Sequence, residues 1–182
     1  MHCHHELLVR ADGRDEAVSA AESALEGFGN SDVWDWYVIG GRWSGFHTQM
    51  RDREWPEERD QYAMVGHDDD AICYADDPDL FRACIEHQLA AQRSDLKRRL
   101  SRLGFKDKSR LLLNRVRVYH DGEDGMFGHY LYNIGKHMAG YYNFSSYFYN
   151  AEWGGPSMPE KMWAEIEAEP DQWWLVTVDL HN

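Results

Sequence analysis

Two groups of residues in this chain could do chemistry. The first is the run Trp34-Asp35-Trp36-Tyr37-Val38-Ile39-Gly40-Gly41-Arg42-Trp43-Ser44-Gly45. Trp34, Trp36, Tyr37 and Trp43 offer flat faces for stacking on a ring. Gly40 and Gly41 let a backbone turn sharply or approach a ligand closely. Arg42 offers a planar fork for a phosphate or carboxylate. Together they form a kit for a nucleotide-like ligand, with the Gly40-Gly41 amides and Arg42 on phosphate. The same residues also suit a plain structural role, as core aromatics around a hairpin turn at Gly40-Gly41, with Arg42 paired to Asp35.

The second group lies at the two ends of the sequence. His2, His4 and Glu6 alternate on a first strand, and Thr177, Asp179 and His181 alternate on a last one. If the two strands pair antiparallel, His2 and His4 come within reach of Asp179 and His181 on an open sheet face. Three imidazoles and a carboxylate suit Zn, Mn, Fe or Ni as divalent ions. Such an ion could activate water for phosphoester hydrolysis. The competing reading is solvated histidines that bind metal adventitiously.

The segment Asp35 to Trp43 resembles an Asp-Trp-Tyr-x-Ile-Gly-Gly-Arg-Trp run in small proteins of bacteriophages and actinobacteria. Those proteins are similar at the C-terminus too, closing on a Thr-Val-x-Asp-x-His-like strand. Thr177, Val178, Asp179 and His181 match it with an offset, because Val178 and Asp179 are adjacent here. The resemblance covers about 20 residues. It implies a phage or prophage context and no mechanism.

The other candidates are less specific. Ten basic residues fall between Arg93 and Arg117, among them Arg98, Arg102 and Arg115, opposed only by Asp95 and Asp107. They form either a phosphate-facing patch or a solvated helix end paired with acids of residues 52–79. His67-Asp68-Asp69-Asp70 lacks the glycine and glutamate spacing of an EF-hand and reads as a solvated turn. Cys3, Cys73 and Cys84 form no CxxC pair and are odd in number, so a disulfide framework is not expected. No Walker loop, nucleophile elbow, dinucleotide fingerprint or HExxH is present.

The 182 residues suffice for one domain spanning 1–182. With 19 basic and 32 acidic side chains the net charge is −13, which argues against a general nucleic-acid coat. No apolar run approaches the roughly 18 residues of a membrane span. These bounds lead us to expect a cytoplasmic protein, in the host cell if phage-encoded, with no membrane partner.

Period-2 alternation predicts a strand over residues 2–11, with Cys3, His5, Leu7, Val9 and Ala11 facing the core. A helix follows over about 15–27, carried by Val18, Ala21, Leu25 and Phe28. Residues 33–39 read as extended and 43–50 as a second strand of a hairpin. Residues 51–76 read as irregular, with a short strand at 71–74. Asp77-Pro78 caps the strongest helix, which Gly104 ends. A strand at 110–119, an aromatic stretch at 127–153 and a capping box at Ser157-Met158-Pro159-Glu160 follow. That box opens a helix to about Ala168, and Trp173 to His181 is the last strand. The order implies an α+β fold. Its mainly antiparallel sheet would carry helices on one face, with a ferredoxin-like core bearing insertions as the simplest candidate.

Three functions fit. The leading one is a phage-type protein that binds a nucleotide or nucleotide-derived ligand through Trp34, Trp36, Tyr37, Gly40, Gly41, Arg42 and Trp43, as in sequestration of a host defence signal. The second is a metal-dependent phosphodiesterase or nuclease using His2, His4, Asp179 and His181. The third is an acidic interaction protein whose 52–79 surface, including Glu57, Glu58, Asp68, Asp69 and Asp70, occupies a basic groove on a host defence protein or mimics nucleic acid.

Overall fold

The computed structural model describes residues 2–26, 36–52, 70–102, 148–155 and 158–181, without the side chains of 95–102. Its strands are β1 (His2–Arg10), β2 (Trp36–Ile39), β3 (Ala71–Cys73), β4 (Phe148–Asn150) and β5 (Trp173–His181). Its helices are α1 (Arg14–Glu26), α2 (Phe46–Asp52), α3 (Pro78–Arg102) and α4 (Glu160–Ala168), with 3-10 turns at Gly41–Trp43 and Pro170–Gln172. The class is α+β.

The sheet is mixed. β1 and β5 pair antiparallel along their whole length, from His2 opposite His181 to Arg10 opposite Trp173. β4 adds to the other edge of β1 in parallel. β2 and β3 both pair antiparallel with β5, β2 along Val178–His181 and β3 along Trp174–Val176. They form one broken edge strand. At the break, the Gly40 N–H donates to the Thr177 carbonyl and the Thr177 N–H donates to the Asp70 carbonyl, both at 2.8 Å. Two described strands thus stand outside the last strand, unlike a ferredoxin-like sheet, where the last strand is an edge.

Helices cover both faces of this sheet, which corrects the one-face expectation. On one face Cys3, Leu7, Val9, Val176, Val178 and Leu180 pack against Ala17, Ala21 and Leu25 of α1. On the other, Leu8, Ile72, Phe148, Trp173 and Leu175 pack against Leu80, Phe81, Cys84 and Ile85 of α3 and Met162 and Ile166 of α4. The cause is legible in β1 and β5, each apolar on one face along its length, His5 excepted, and on the other face at one end. Two apolar surfaces need two covers. The face carrying His4, Glu6, Thr177 and Asp179 is therefore roofed, and all four are buried.

The α3 start follows its chemistry. The Asp77 carboxylate accepts the Leu80 N–H at 3.0 Å, and Pro78 takes the first helical position, where no N–H is needed. The hairpin expected at 43–50 is replaced by a 3-10 turn and α2. α4 starts after Pro159 with no side-chain cap there, and Ser157 of the expected capping box lies outside the described residues. The expected strand at 110–119 and most of the 127–153 stretch also lie outside them. Among the described residues, no helix is long and apolar enough to cross a membrane.

Candidate functional site

The second sheet face changes character along its length. At the β5 N-terminal end Leu8, Leu175 and Ile72 make an apolar row. One step along, Glu6 and Thr177 face each other. The next row is His4, Asp179 and Val38, and the rim is His2, His181 and Trp36. Imidazoles and carboxylates are thus concentrated at one end of a single face. Cross-strand neighbours lie about 4.5–5.5 Å apart at Cβ, so each row is in side-chain contact.

Glu6 is fully buried at the inner end. It accepts from His4 Nε2 at 2.7 Å, from His47 Nε2 at 2.8 Å and from Thr177 Oγ1 at 2.7 Å. Burial alone would raise its pKa. Attraction to His47 and hydrogen bonds from His4 and His47 outweigh burial and hold it at about 2. Gln88 of α3 donates to His4 Nδ1 at 3.0 Å. The His4 ring stacks on Trp43 at 5.4 Å and 12°, with the Phe46 edge 4.4 Å away. The turn and α2 thus form the roof over this network.

Asp179 lies between that network and the rim, 1% exposed. Its Oδ1 accepts from His2 Nδ1 at 2.9 Å, and its Oδ2 accepts the Arg42 N–H at 3.2 Å. An ionised carboxylate only accepts, so Nδ1 of His2 carries the proton in that contact. At the rim, Trp36 stacks parallel on His181 at 4.9 Å and 7°, and His2 meets both edge-on, at 4.9 Å from His181 and 5.2 Å from Trp36. Trp36 is 37% exposed.

The Gly-Gly-Arg-Trp-Ser-Gly turn is gripped by carboxylates of the protein itself. Asp70 accepts from Ser44 Oγ at 2.8 Å and from the Gly45 N–H at 3.1 Å, while Asp179 takes the Arg42 N–H. Gly40 and Gly41 have φ of 69° and 54°. A Cβ on Gly40 would fall on the Asp70 carboxylate, and one on Gly41 would lie 2.5 Å from the Asp179 Cβ. Both glycines are therefore required by geometry. Asp70 is buried, not solvated as expected; Asp68 and Asp69 lie outside the described residues.

No family model, curated protein or solved structure matches this chain.

Of the sequence candidates, His2, Asp179, His181 and Trp36 come together at the rim. His4 shares their face but turns its Nε2 to Glu6. Among the described residues, no three His, Cys, Asp or Glu side chains converge to hold a metal ion. Arg42 and Trp43 are half-buried on the turn. Tyr37 faces away, packed against the α1 side. Burial and the Glu22 and Glu26 carboxylates of α1 push its hydroxyl pKa up. Trp34 lies outside the described residues, as do residues 53–69 of the acidic stretch and the side chains of Arg98, Arg102 and Arg115.

Sequence reasoning missed Glu6, His47 and Gln88 as members of one network. The His-x-His-x-Glu alternation of β1 was the available signal for Glu6. Nothing local marks His47 or Gln88, which reach the network from α2 and α3.

Proposed function

We propose that the rim of this sheet face binds a small anionic ligand bearing a flat ring, of the nucleotide class. The observation that supports this best is the row Trp36–His181–His2, an exposed indole in register with two imidazoles across three strands. An exposed indole beside imidazoles offers a ring face for stacking and donors for a phosphate in one place. Arg42 adds positive charge from the adjoining turn.

The geometry changes how the ligand would be held. The Arg42 and Gly45 amides are hydrogen-bonded to Asp179 and Asp70, and Gly40 donates to Thr177. Phosphate recognition in this reading therefore falls to His181 and the Arg42 side chain, beside His2, rather than to a backbone nest. The net charge of −13 favours a small ligand over a polyanion. The resemblance of segment 35–43 to phage proteins gives one use for such binding, namely sequestration of a host signalling nucleotide; this step is analogy.

The test is a fluorescence titration of the full chain with a nucleoside 5′-monophosphate, the bare nucleoside and inorganic phosphate. Saturable quenching by the monophosphate is expected, weaker with either fragment. Base–aromatic stacking contributes about 1–3 kcal/mol, so Trp36→Ala should weaken binding by roughly tenfold or more. No saturable response to any of the three overturns the reading.

A further inference from the structure

We infer that His2 and His181 form an acid–base pair that cleaves a ribose phosphodiester by attack of its own 2′-hydroxyl. This rests on the reading of the rim as a nucleotide site and adds a reaction to it. Three observations carry it.

First, Asp179 fixes the tautomer of His2. The carboxylate takes the Nδ1 proton at 2.9 Å, so the neutral ring presents Nε2 as a lone pair. No described residue hydrogen-bonds that nitrogen, and the His2 side chain is 20% exposed. A buried carboxylate behind an accessible imidazole is the arrangement of a general base. Asp179 is itself held by the Arg42 N–H, so the dyad is braced from the turn.

Second, a further imidazole stands directly opposite. His181 is the β-sheet partner of His2, with ring centroids 4.9 Å apart. Cleavage beside a 2′-hydroxyl needs one group to take a proton and another to give one, and two adjacent imidazoles supply both. Third, Trp36 is stacked on His181 and partly exposed, next to where a nucleobase flanking the phosphate would lie.

The step balances without redox chemistry or water. His2 Nε2 takes the 2′-hydroxyl proton, and the 2′-oxygen forms a bond to phosphorus. The bond from phosphorus to the 5′-oxygen breaks, and that oxygen takes a proton from the His181 imidazolium. The products are a 2′,3′-cyclic phosphate and a free 5′-hydroxyl, and proton exchange with solvent resets both rings. Among the described residues, Asp179 on β5 hydrogen-bonds His2, Trp36 on β2 contacts both rings, and the Arg42 N–H of the turn holds Asp179. Asp179 is the positioning residue.

The experiment uses the tag-free full chain with a ribodinucleoside monophosphate and its 2′-deoxy counterpart, with and without EDTA. Binding is read by fluorescence and products by phosphorus NMR. The expected result is cyclic phosphate from the ribo compound alone, unaffected by EDTA, with a bell-shaped pH profile. His2→Gln and His181→Gln should each lower kcat by about 100-fold or more while the deoxy compound still binds. Asp179→Asn should displace the low-pH limb, where loss of the base form of His2 limits the rate. If it fails to fold, the His2→Gln profile, with that limb lost, serves instead. Binding of both compounds without cleavage overturns this inference and leaves the binding reading standing. Neither binding nor cleavage overturns both. Cleavage abolished by EDTA, or of both compounds equally, overturns the two-imidazole pathway.

Discussion

Gly41 and Asp179 sit so close that a methyl group on the glycine would lie 2.5 Å from the aspartate Cβ. They are 138 positions apart in sequence. The contact joins the two sequence features that stood out separately, the Gly-Gly-Arg-Trp run and the C-terminal Asp-x-His strand. It locks the turn over the sheet face, and the same carboxylate orients His2.

Gly41→Ala should therefore weaken both stability and the rim. Alanine at φ 54° is strained, and its Cβ would displace Asp179. We expect a loss of about 1–3 kcal/mol in chemical denaturation and weaker nucleotide binding at temperatures where the variant remains folded. A neutral effect on both would show that the turn does not sit against Asp179.

Glu6→Gln should cost more, about 3–5 kcal/mol, because it removes one partner of a buried charged network. Glutamine would face the N–H groups of His4 and His47 with one acceptor oxygen in place of two. The pH dependence has a definite sign. The Glu6 pKa is depressed to about 2, so its stabilisation is complete above the ordinary carboxyl value near 4.5. It is lost as pH falls from about 4.5 to about 2. Denaturation curves of wild type and Glu6→Gln should converge across that window.

His5 makes a separate acid-sensitive contribution. Burial under α1 pushes its pKa down to about 3, from 6.5. The unfolded chain takes up this proton below about 6.5 and the folded chain does not until about 3. Neutral His5 therefore favours the fold above 6.5, and stability falls by up to about 1.4 kcal/mol per pH unit below it. His5→Phe should flatten the pH dependence between about 6 and 4. An unchanged slope would contradict the neutral buried assignment.

Asp77→Ala removes the α3 cap. Losing the bond to the Leu80 N–H should cost about 1 kcal/mol, read as a lower midpoint in urea with an unchanged slope.

Much of this fold was legible locally. Alternation located β1 and β5, the Asp77-Pro78 signal located α3, and short-range pattern located α1, β3 and α4. What was not legible depends on groups far away in sequence. Residues 43–50 read as a strand because Gly40-Gly41 looked like a hairpin turn. They form a 3-10 turn and α2 because Asp70 and Asp179 capture the turn from 25 and 137 residues away. His4, Glu6, Thr177 and Asp179 read as an outward polar face, since alternation does not distinguish a solvated face from a roofed one. His2, Asp179 and His181 were brought together as the strand pairing implied, whereas His4 turned to Glu6, whose network with His47 and Gln88 spans three elements.

The proposed seat of the nucleotide-class ligand is the rim formed by Trp36, His181 and His2. The most direct measurement is a proton–carbon NMR titration of the imidazole Cε1 signals with a nucleoside 5′-monophosphate, assigned through His2→Gln and His181→Gln. Ligand at the rim should give saturable shifts at His2 and His181, with His5 on the opposite sheet face unmoved. Absence of saturable shifts at both rim histidines, or a response confined to His5, would contradict that placement.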